Sequence, residues 1–583
     1  MKAPISLFFS CSLFLGSYAS AIAATVPQET REPEGATGIT EQRLVVTKQA
    51  MVAAAHPLAV AAGQQILTKG GSAVDAAIAT QLVLGLVEPQ SSGIGGGAFI
   101  LHWHKAGQRL TSFDGRETAP ASAGADLFTA NGKPMDWRAA YVGGKSVGVP
   151  GVLKALAQAH QQYGRLPWSV LFDDAITAAE KGFAVTPRMA KHLNMGWNDG
   201  VKTLAPAKDY FYPNGQALQA GQIITNPEYA KLLKAIAREG VSAFYQGDNA
   251  QALVDTVRLA ATNPGQLSLE DLARYRAVER EVLCQAYRQY QVCGMAPPSS
   301  GGIAVLQMLG ILSAFDMPSL RPGSVEPVHL LSQAARLAFA DRERYLADAD
   351  FSTVPVAGLL NPDYLAARAR LIDPQRNLVA ALAGEPEGAM PLADDDAIEF
   401  ENTSHLSVVD QYGNAVSMTT SIENVFGSGL MVNGYLLNNQ LTDFSLRASV
   451  NGKLVANRVE GGKRPRSSMA PMMVFDQDNN LKLLTGSPGG SRIINYVSQN
   501  LVAVLDWQLN LEQAANLPRF THRNDYLALE AGTPLAKLQT ALQAMGYQVR
   551  VQDLNSGIHA IEVTPDGLAG AADPRREGSA AGF

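Results

Sequence analysis

The sequence changes texture once, near residue 403, and that change limits the folds open to it. Upstream, the chain from His56 to about Pro89 is Ala-rich and helical, interrupted at Gly70-Gly71. Ser72, just after the interruption, is placed to cap the next helix. Apolar spacing at three and four residues predicts further helices near 151–163, 166–181, 228–239 and 326–346. An acidic stretch with Gly and Pro, about 384–402, then reads as an exposed, solvated linker. Immediately after it the period drops to two. Residues 405–410 and 415–421 alternate like strands joined by Gln411-Tyr412-Gly413-Asn414, a hairpin signal. Residues 472–475 and 481–485 form a second strand pair around an Asp/Asn turn. There is no internal repeat. Helices first and strands later imply an α+β chain with helices layered on sheets.

Composition supports a large core and excludes some partners. Apolar residues make up 46% of the 583 and charged residues 17%, so burial outweighs disorder. The length suggests about four domains by a simple size prior, although large layered folds run as one unit. The formal charge is −6 with no basic run, which argues against nucleic acid as a partner. Met1-Lys2, the apolar run 5–18 and Ala21-Ile22-Ala23 have the form of a cleaved signal peptide over residues 1–24, so export to the periplasm or medium is expected. No other segment is apolar and long enough to span a bilayer.

Export leaves Cys284 and Cys293, in a segment that alternates like a hairpin. With Arg288-Gln289 as the turn, Tyr287 faces Tyr290, and Cys284 faces Cys293 at a non-hydrogen-bonded position, where side chains are closer. That predicts a cross-strand disulfide in an oxidising compartment, with two reduced core cysteines as the alternative. Two cysteines are too few to hold a metal.

The chain lacks a Gly-x-Ser-x-Gly elbow, a His-Glu-x-x-His motif and a Walker loop. Gly93-Ile94-Gly95-Gly96-Gly97 lacks the sixth-position glycine of a dinucleotide loop, and close backbone packing explains it better. The chemistry concentrates instead at Asn402-Thr403-Ser404-His405. A mid-chain threonine is a poor nucleophile. At an N-terminus it has its own α-amine as a base, with a pKa of about 7.7–8. Cleavage between Asn402 and Thr403 would create nucleophile and base in one residue. Alone, the same residues are an ordinary strand start.

With its surroundings, the segment resembles the gamma-glutamyltranspeptidase family of N-terminal-nucleophile hydrolases. The resemblance spans nearly the whole mature chain. It is carried by Phe113-Asp114-Gly115-Arg116-Glu117-Thr118-Ala119-Pro120, Pro297-Pro298-Ser299-Ser300-Gly301-Gly302 and Phe339-Ala340-Asp341-Arg342. Later come Thr403-Ser404-His405, Leu437-Asn438-Asn439-Gln440-Leu441-Thr442-Asp443-Phe444, Lys463-Arg464-Pro465-Arg466-Ser467-Ser468-Met469, Gly486-Ser487-Pro488-Gly489-Gly490 and Asp573-Pro574-Arg575-Arg576-Glu577-Gly578. The resemblance implies a four-layer αββα sandwich built jointly by a large subunit, 25–402, and a small one, 403–583. It implies γ-glutamyl amides such as glutathione as substrates, amino acids or dipeptides as acceptors, and no metal or organic cofactor. Arg116, Ser467 and Ser468 match the positions that take the substrate α-carboxylate. Asp443, Gln440 and Glu423 match those that take the α-ammonium. Gly489 and Gly490 match the oxyanion donors, and Ser421 matches a hydroxyl, usually threonine, that positions the nucleophile.

The sequence also departs from the family. Many members carry Asn where Glu423 stands, and the extra carboxylate predicts stricter selection for a free α-amine. The segment 444–466, expected to pass over the site, has no Tyr where several relatives place one in this lid. His405 reads as a structural strand residue rather than a base. Without the family, Arg116 would read as a surface partner of Glu117. Two other functions remain open at this point: a cephalosporin (glutaryl) acylase of the same fold, and an uncut binding protein for glutamyl peptides.

Overall fold

The computed structural model describes Met1, residues 38–400 and residues 402–583. Apart from Met1, the signal-peptide reading of 1–24 lies outside the described residues. Two seven-stranded sheets dominate the fold, and every pairing within them is antiparallel. One runs Ser579–Gly582, Met51–Ala54, Asn402–Val409, Ala415–Glu423, Gly97–His104, Arg109–Asp114, Val278–Arg280. The other runs Val45–Thr47, Gly567–Ala572, His559–Thr564, Leu481–Thr485, Met472–Phe475, Tyr290–Gly294, Leu283–Tyr287.

Period-two alternation sorts each central strand between two cores. Leu406 and Val408, with Val52, Ala54, Val416 and Met418, pack against the helices Pro57–Thr68 and Ala73–Val87. Met51, Ala53, Val409 and Ala415 face the second sheet. The helices Gly301–Leu312, Val325–Tyr345 and Ile493–Leu505 contribute to that same second core. The result is the helix–sheet–sheet–helix layering that the resemblance implied. Thr403 and Ser421 are cross-strand partners near the ends of the two central strands.

Most of the expected helices are present. Ser72 caps Ala73–Val87 with a full capping box, since Asp75 accepts from the Ser72 N–H and donates its own N–H to Ser72 Oγ. Val152–Tyr163, Pro227–Glu239 and Val325–Tyr345 fall where the spacing put them. The stretch 166–181 divides into a short 3₁₀ turn, Trp168–Phe172, and a helix, Asp173–Lys181. Asp173 and Asp174 favour a helix start at that point because their charge meets the positive end of the dipole.

The acidic linker is a correction. It is not a uniformly solvated loop, because Asp395, Glu399 and Asn402 are buried. Arginines draw its carboxylates inward. Arg466 Nη2 lies 3.1 Å from Asp395, Asn457 donates to the same carboxylate at 2.8 Å, and Arg342 and Arg466 flank Glu399. Among the described residues, no helix is long and apolar enough to cross a membrane.

The cysteine hairpin has the register expected of it. Cys284 pairs with Cys293 and Tyr287 with Tyr290, and Arg288 takes the positive φ of 55° that such a turn requires. The two sulfurs are bonded. Denatured without reductant, a chain beginning at residue 25 will give no reaction with a thiol reagent. Two reactive thiols per chain would contradict the bond.

Candidate active site

The start of strand Asn402–Val409 holds the reactive geometry. Thr403 and Ser421 are both 3% exposed and face each other across the ladder, with a register shift between Asn402 and Thr403. Thr403 Oγ1 donates to Ser421 Oγ at 3.3 Å. Ser421 Oγ in turn donates to the Asn402 carbonyl at 2.9 Å and accepts the Glu423 N–H at 2.8 Å. One hydroxyl thus touches the Thr403 hydroxyl and polarises the carbonyl next to it. The Gly-rich segment before strand Gly97–His104 makes this approach possible. A Cβ at Gly96 would come within 2.1 Å of the Ser421 carbonyl oxygen, so the glycines serve close packing, as expected.

A small cavity of about 20 Å³ adjoins Thr403, lined by Arg116, Glu423, Gln440, Asp443, Ser467, Ser468 and Gly490 together with Glu399 and Phe400. All the expected catalytic and substrate-binding residues except Gly489 line it, and Gly489 adjoins Gly490; Asn402, on the other side of the bond expected to break, does not line it. The cavity is small because the chain before the Asn402–Thr403 bond lies in it. Phe400 donates its N–H to Glu423 Oε1 at 2.6 Å. A Cβ on Gly490 would meet the carbonyl oxygens of Glu399 and Phe400 at 2.6 Å, so only glycine admits the segment there. Gly489 and Gly490 take positive φ of 136° and 52°.

The charged groups divide into two clusters. In the first, Arg116 is buried and donates through Nη2 to Asp443 Oδ2 at 2.5 Å and to the Arg466 carbonyl at 2.7 Å, and through Nε to the Pro465 carbonyl. The pairing with Glu117 is present but not at the surface: both side chains are buried, with Arg116 Nη1 3.8 Å from Glu117 Oε2. Gln440 donates to Asp443 at 3.0 Å. Asp443 Oδ1 and Gln440 Oε1 are buried acceptors with no donor among the described residues. Burial, reinforced by Glu399, raises the Asp443 carboxyl above its ordinary value despite Arg116. Burial, then Asp443, raises the Glu423 carboxyl well above its ordinary value, although the Phe400 N–H and Asn439 Nδ2 donate to it. Glu423 also holds a positive φ of 78°, a strained conformation for a residue with a side chain.

The second cluster surrounds Glu399. Arg342 donates to Glu399 and, at 2.8 Å, to Ser468 Oγ, while Arg466 Nε approaches Glu399 at 3.5 Å. Burial works against the Glu399 charge, but Arg342 and Arg466 hold its carboxyl below the ordinary value. Ser467 is placed mainly through its backbone, since its carbonyl accepts from the N–H and hydroxyl of Ser300. Sequence reasoning did not assign roles to Arg342, Glu399, Arg466 or Asn439. Arg342, Arg466 and Asn439 stand inside motifs already noted, and the available signal was their proximity to assigned residues. His405 is structural, as expected. It is buried between Thr419 Oγ1 at 2.8 Å and Ser407 Oγ at 3.2 Å, and burial drives its pKa well down.

Two stacked antiparallel sheets between helices, with a threonine near the start of a central strand beside a constellation for an amino acid, define an N-terminal-nucleophile hydrolase. The family model for gamma-glutamyltranspeptidase matches residues 59–583, and the chain belongs to that family. It is 37% identical to the glutathione hydrolase proenzyme of Bacillus subtilis (strain 168) over 578 residues, 96% of each chain. It is 36% identical to the acylase ACY 1 proenzyme of Pseudomonas sp. (strain SE83), over 92% of this chain and 94% of that one. The structure of the cephalosporin acylase from Bacillus halodurans matches with a TM-score of 0.82 at 29% identity, over 95% of this chain and 99% of that one.

The raised Glu423 pKa has a measurable consequence. The folded chain keeps a proton that the unfolded chain releases above about pH 4.3, so rising pH penalises the folded state. In the uncut variant Thr403→Ala, adding Glu423→Gln will raise the melting midpoint more at pH 8 than at pH 5. A gain equal at both pH values would contradict this.

Proposed function

We propose that this chain is the precursor of a γ-glutamyltransferase that also hydrolyses glutathione, and that it cuts itself between Asn402 and Thr403. The cut yields a large subunit, 25–402, and a small subunit, 403–583, which remain one intertwined unit. Removal of residues 1–24 accompanies export to the periplasm or medium. The observation that carries the reading is the pair of unfilled buried acceptors, Asp443 Oδ1 and Gln440 Oε1, in the cavity beside Thr403. With Glu423 they form an acceptor set for an α-ammonium, whose positive charge would relieve the repulsion between the two carboxylates. A few side chains away, Glu399 supplies a carboxylate to Arg342 and Arg466, with Ser468 beside it. A substrate with both an α-ammonium and an α-carboxylate fits the vacated pocket, and Arg116, Ser467 and Ser468 are assigned to the carboxylate.

For maturation, Thr403 Oγ1 attacks the Asn402 carbonyl carbon. Ser421, donating to that carbonyl oxygen, stabilises the charge as it develops. The amide becomes an ester, and water then releases Asn402 as a carboxylate and Thr403 as a free amine. For turnover, the α-amine takes the Thr403 hydroxyl proton, Oγ1 attacks the substrate γ-carbonyl, and Gly489 and Gly490 donate to the oxyanion. The leaving amine takes a proton as the ester forms. Water completes hydrolysis, and an amino acid or dipeptide completes transfer. No metal or organic cofactor enters this scheme.

Purified enzyme will run as two bands on a denaturing gel, and Thr403→Ala as one; two bands from that variant would end the self-cleavage proposal. With glutathione or a γ-glutamyl amide, addition of a dipeptide acceptor will divert product from glutamate to γ-glutamyl dipeptide with ping-pong kinetics. Preference for γ-glutamyl over glutaryl donors, which lack the α-ammonium, will fall by on the order of 10- to 100-fold in Asp443→Asn. A parent enzyme that turns over glutaryl donors as well as γ-glutamyl ones is instead an acylase. Unchanged turnover and affinity in Glu423→Gln would remove that residue from α-amine selection.

A further inference from the structure

The five-residue helix Trp137–Tyr141 lies outside every motif that defines the pocket, yet it meets the segment filling it. The ring of Phe400 stacks on the indole of Trp137 with centroids 3.7 Å apart and planes inclined by 16°. Trp137 is also tilted against Tyr141 at 4.9 Å. The support is rigid. Asp136 caps the helix by accepting from the N–H groups of Arg138 and Ala139, and the Tyr141 hydroxyl donates to the Trp197 carbonyl at 2.6 Å. The helix also packs against the turn Gln440–Asp443, which supplies the ammonium acceptors. Trp137 Nε1 finds no acceptor among the described residues.

Phe400 spans the cavity beside Thr403: its N–H is on Glu423, its carbonyl is against Gly490 and its ring leaves toward Trp137. A cavity of about 20 Å³ holds no glutamyl group, so a substrate enters only when Phe400 withdraws. That withdrawal uncovers a flat aromatic face at the rim of the pocket, with an indole N–H beside it. We propose that this face is a subsite for an aromatic side chain on the amine that leaves, or accepts, the γ-glutamyl group. The proposal rests on the function assigned above. Its ligand class is an aromatic amino acid in amide or free-amine form, since a phenylalanine ring of the chain itself already fits there. Stacking favours such a ring over an aliphatic group of similar size.

The test compares γ-glutamyl-phenylalanine, γ-glutamyl-leucine and γ-glutamyl-alanine as donors for hydrolysis. Phenylalanine, leucine and alanine then serve as acceptors from one common donor. Matched α-amines keep leaving-group chemistry nearly constant, so ratios of kcat/KM report the side chain. The parent enzyme will favour phenylalanine over leucine by about three- to tenfold in at least one series, and the series that responds identifies the leaving or the accepting amine. Trp137→Leu will abolish that ratio and Trp137→Phe will retain part of it. Each variant is first shown to give two bands. A parent with no preference for phenylalanine over leucine in either series overturns the subsite, as does a Trp137→Leu enzyme that keeps the preference. Should Trp137→Leu fail to mature, the parent ratios and the Trp137→Phe enzyme decide the matter. Failure of the assigned function looks different, because the parent would then release no glutamate from any of the three donors.

Discussion

Ser421 presents one hydroxyl to three partners: it accepts from Thr403 and from the Glu423 N–H, and it donates to the Asn402 carbonyl. Those contacts exist only while strands Asn402–Val409 and Ala415–Glu423 keep their register, and much of the fold serves to keep it. Leu406, Val408, Val416 and Met418 lock one face against the helices, while Val409 and Ala415 lock the other against the second sheet. A slip of one residue would exchange those faces and turn Thr403 away from the pocket. The Gly95-Gly96 approach and the strained Glu423 backbone add local constraints at the same end of the sheet.

The uncut chain buries several charged groups around the cavity. Asp443 and Glu423 are buried carboxylates whose pKa values are raised, and each raises the cost of ionising the other. Arg116 compensates one of them. Glu399 adds a carboxylate to Arg342 and Arg466, which also pair with Glu343 and, for Arg466, with Asp395. The chain's own carboxylates and arginines thus face one another around the cavity, and a small free volume remains.

Much of this was legible in the sequence, for physical reasons that differ by region. Period-two and helical spacing marked the strands after Thr403 and most long helices, because each buries one face. The Cys284–Cys293 pairing followed from the turn at Arg288 alone. The burial of Glu399 was not legible. An acidic stretch with Gly and Pro has the composition of a solvated loop, and only the distant Arg342 and Arg466 pull it inward. The Trp137–Phe400 stack was hidden for a similar reason, since one partner lies on a short helix and the other in the segment before Asn402, far apart in sequence. Position-matching placed Arg116 near a carboxylate, but its engagement with Asp443 in the uncut chain is a tertiary fact.

The burial of Glu399, with Phe400 half-buried beside it, bears on the state of the protein after the proposed cleavage. Were Asn402 to become a chain end as proposed, the segment would stay attached through its upstream residues and would compete for the pocket as a tethered product. Its local concentration is set by tether length, not by dilution in solution. Occupancy by substrate then depends on how readily the tail finds other lodging. The buried Asp395–Arg466 contact just upstream fixes the point from which the tail swings. In that cut state the reach of those few residues would set how strongly a ligand must bind to displace the protein's own chain.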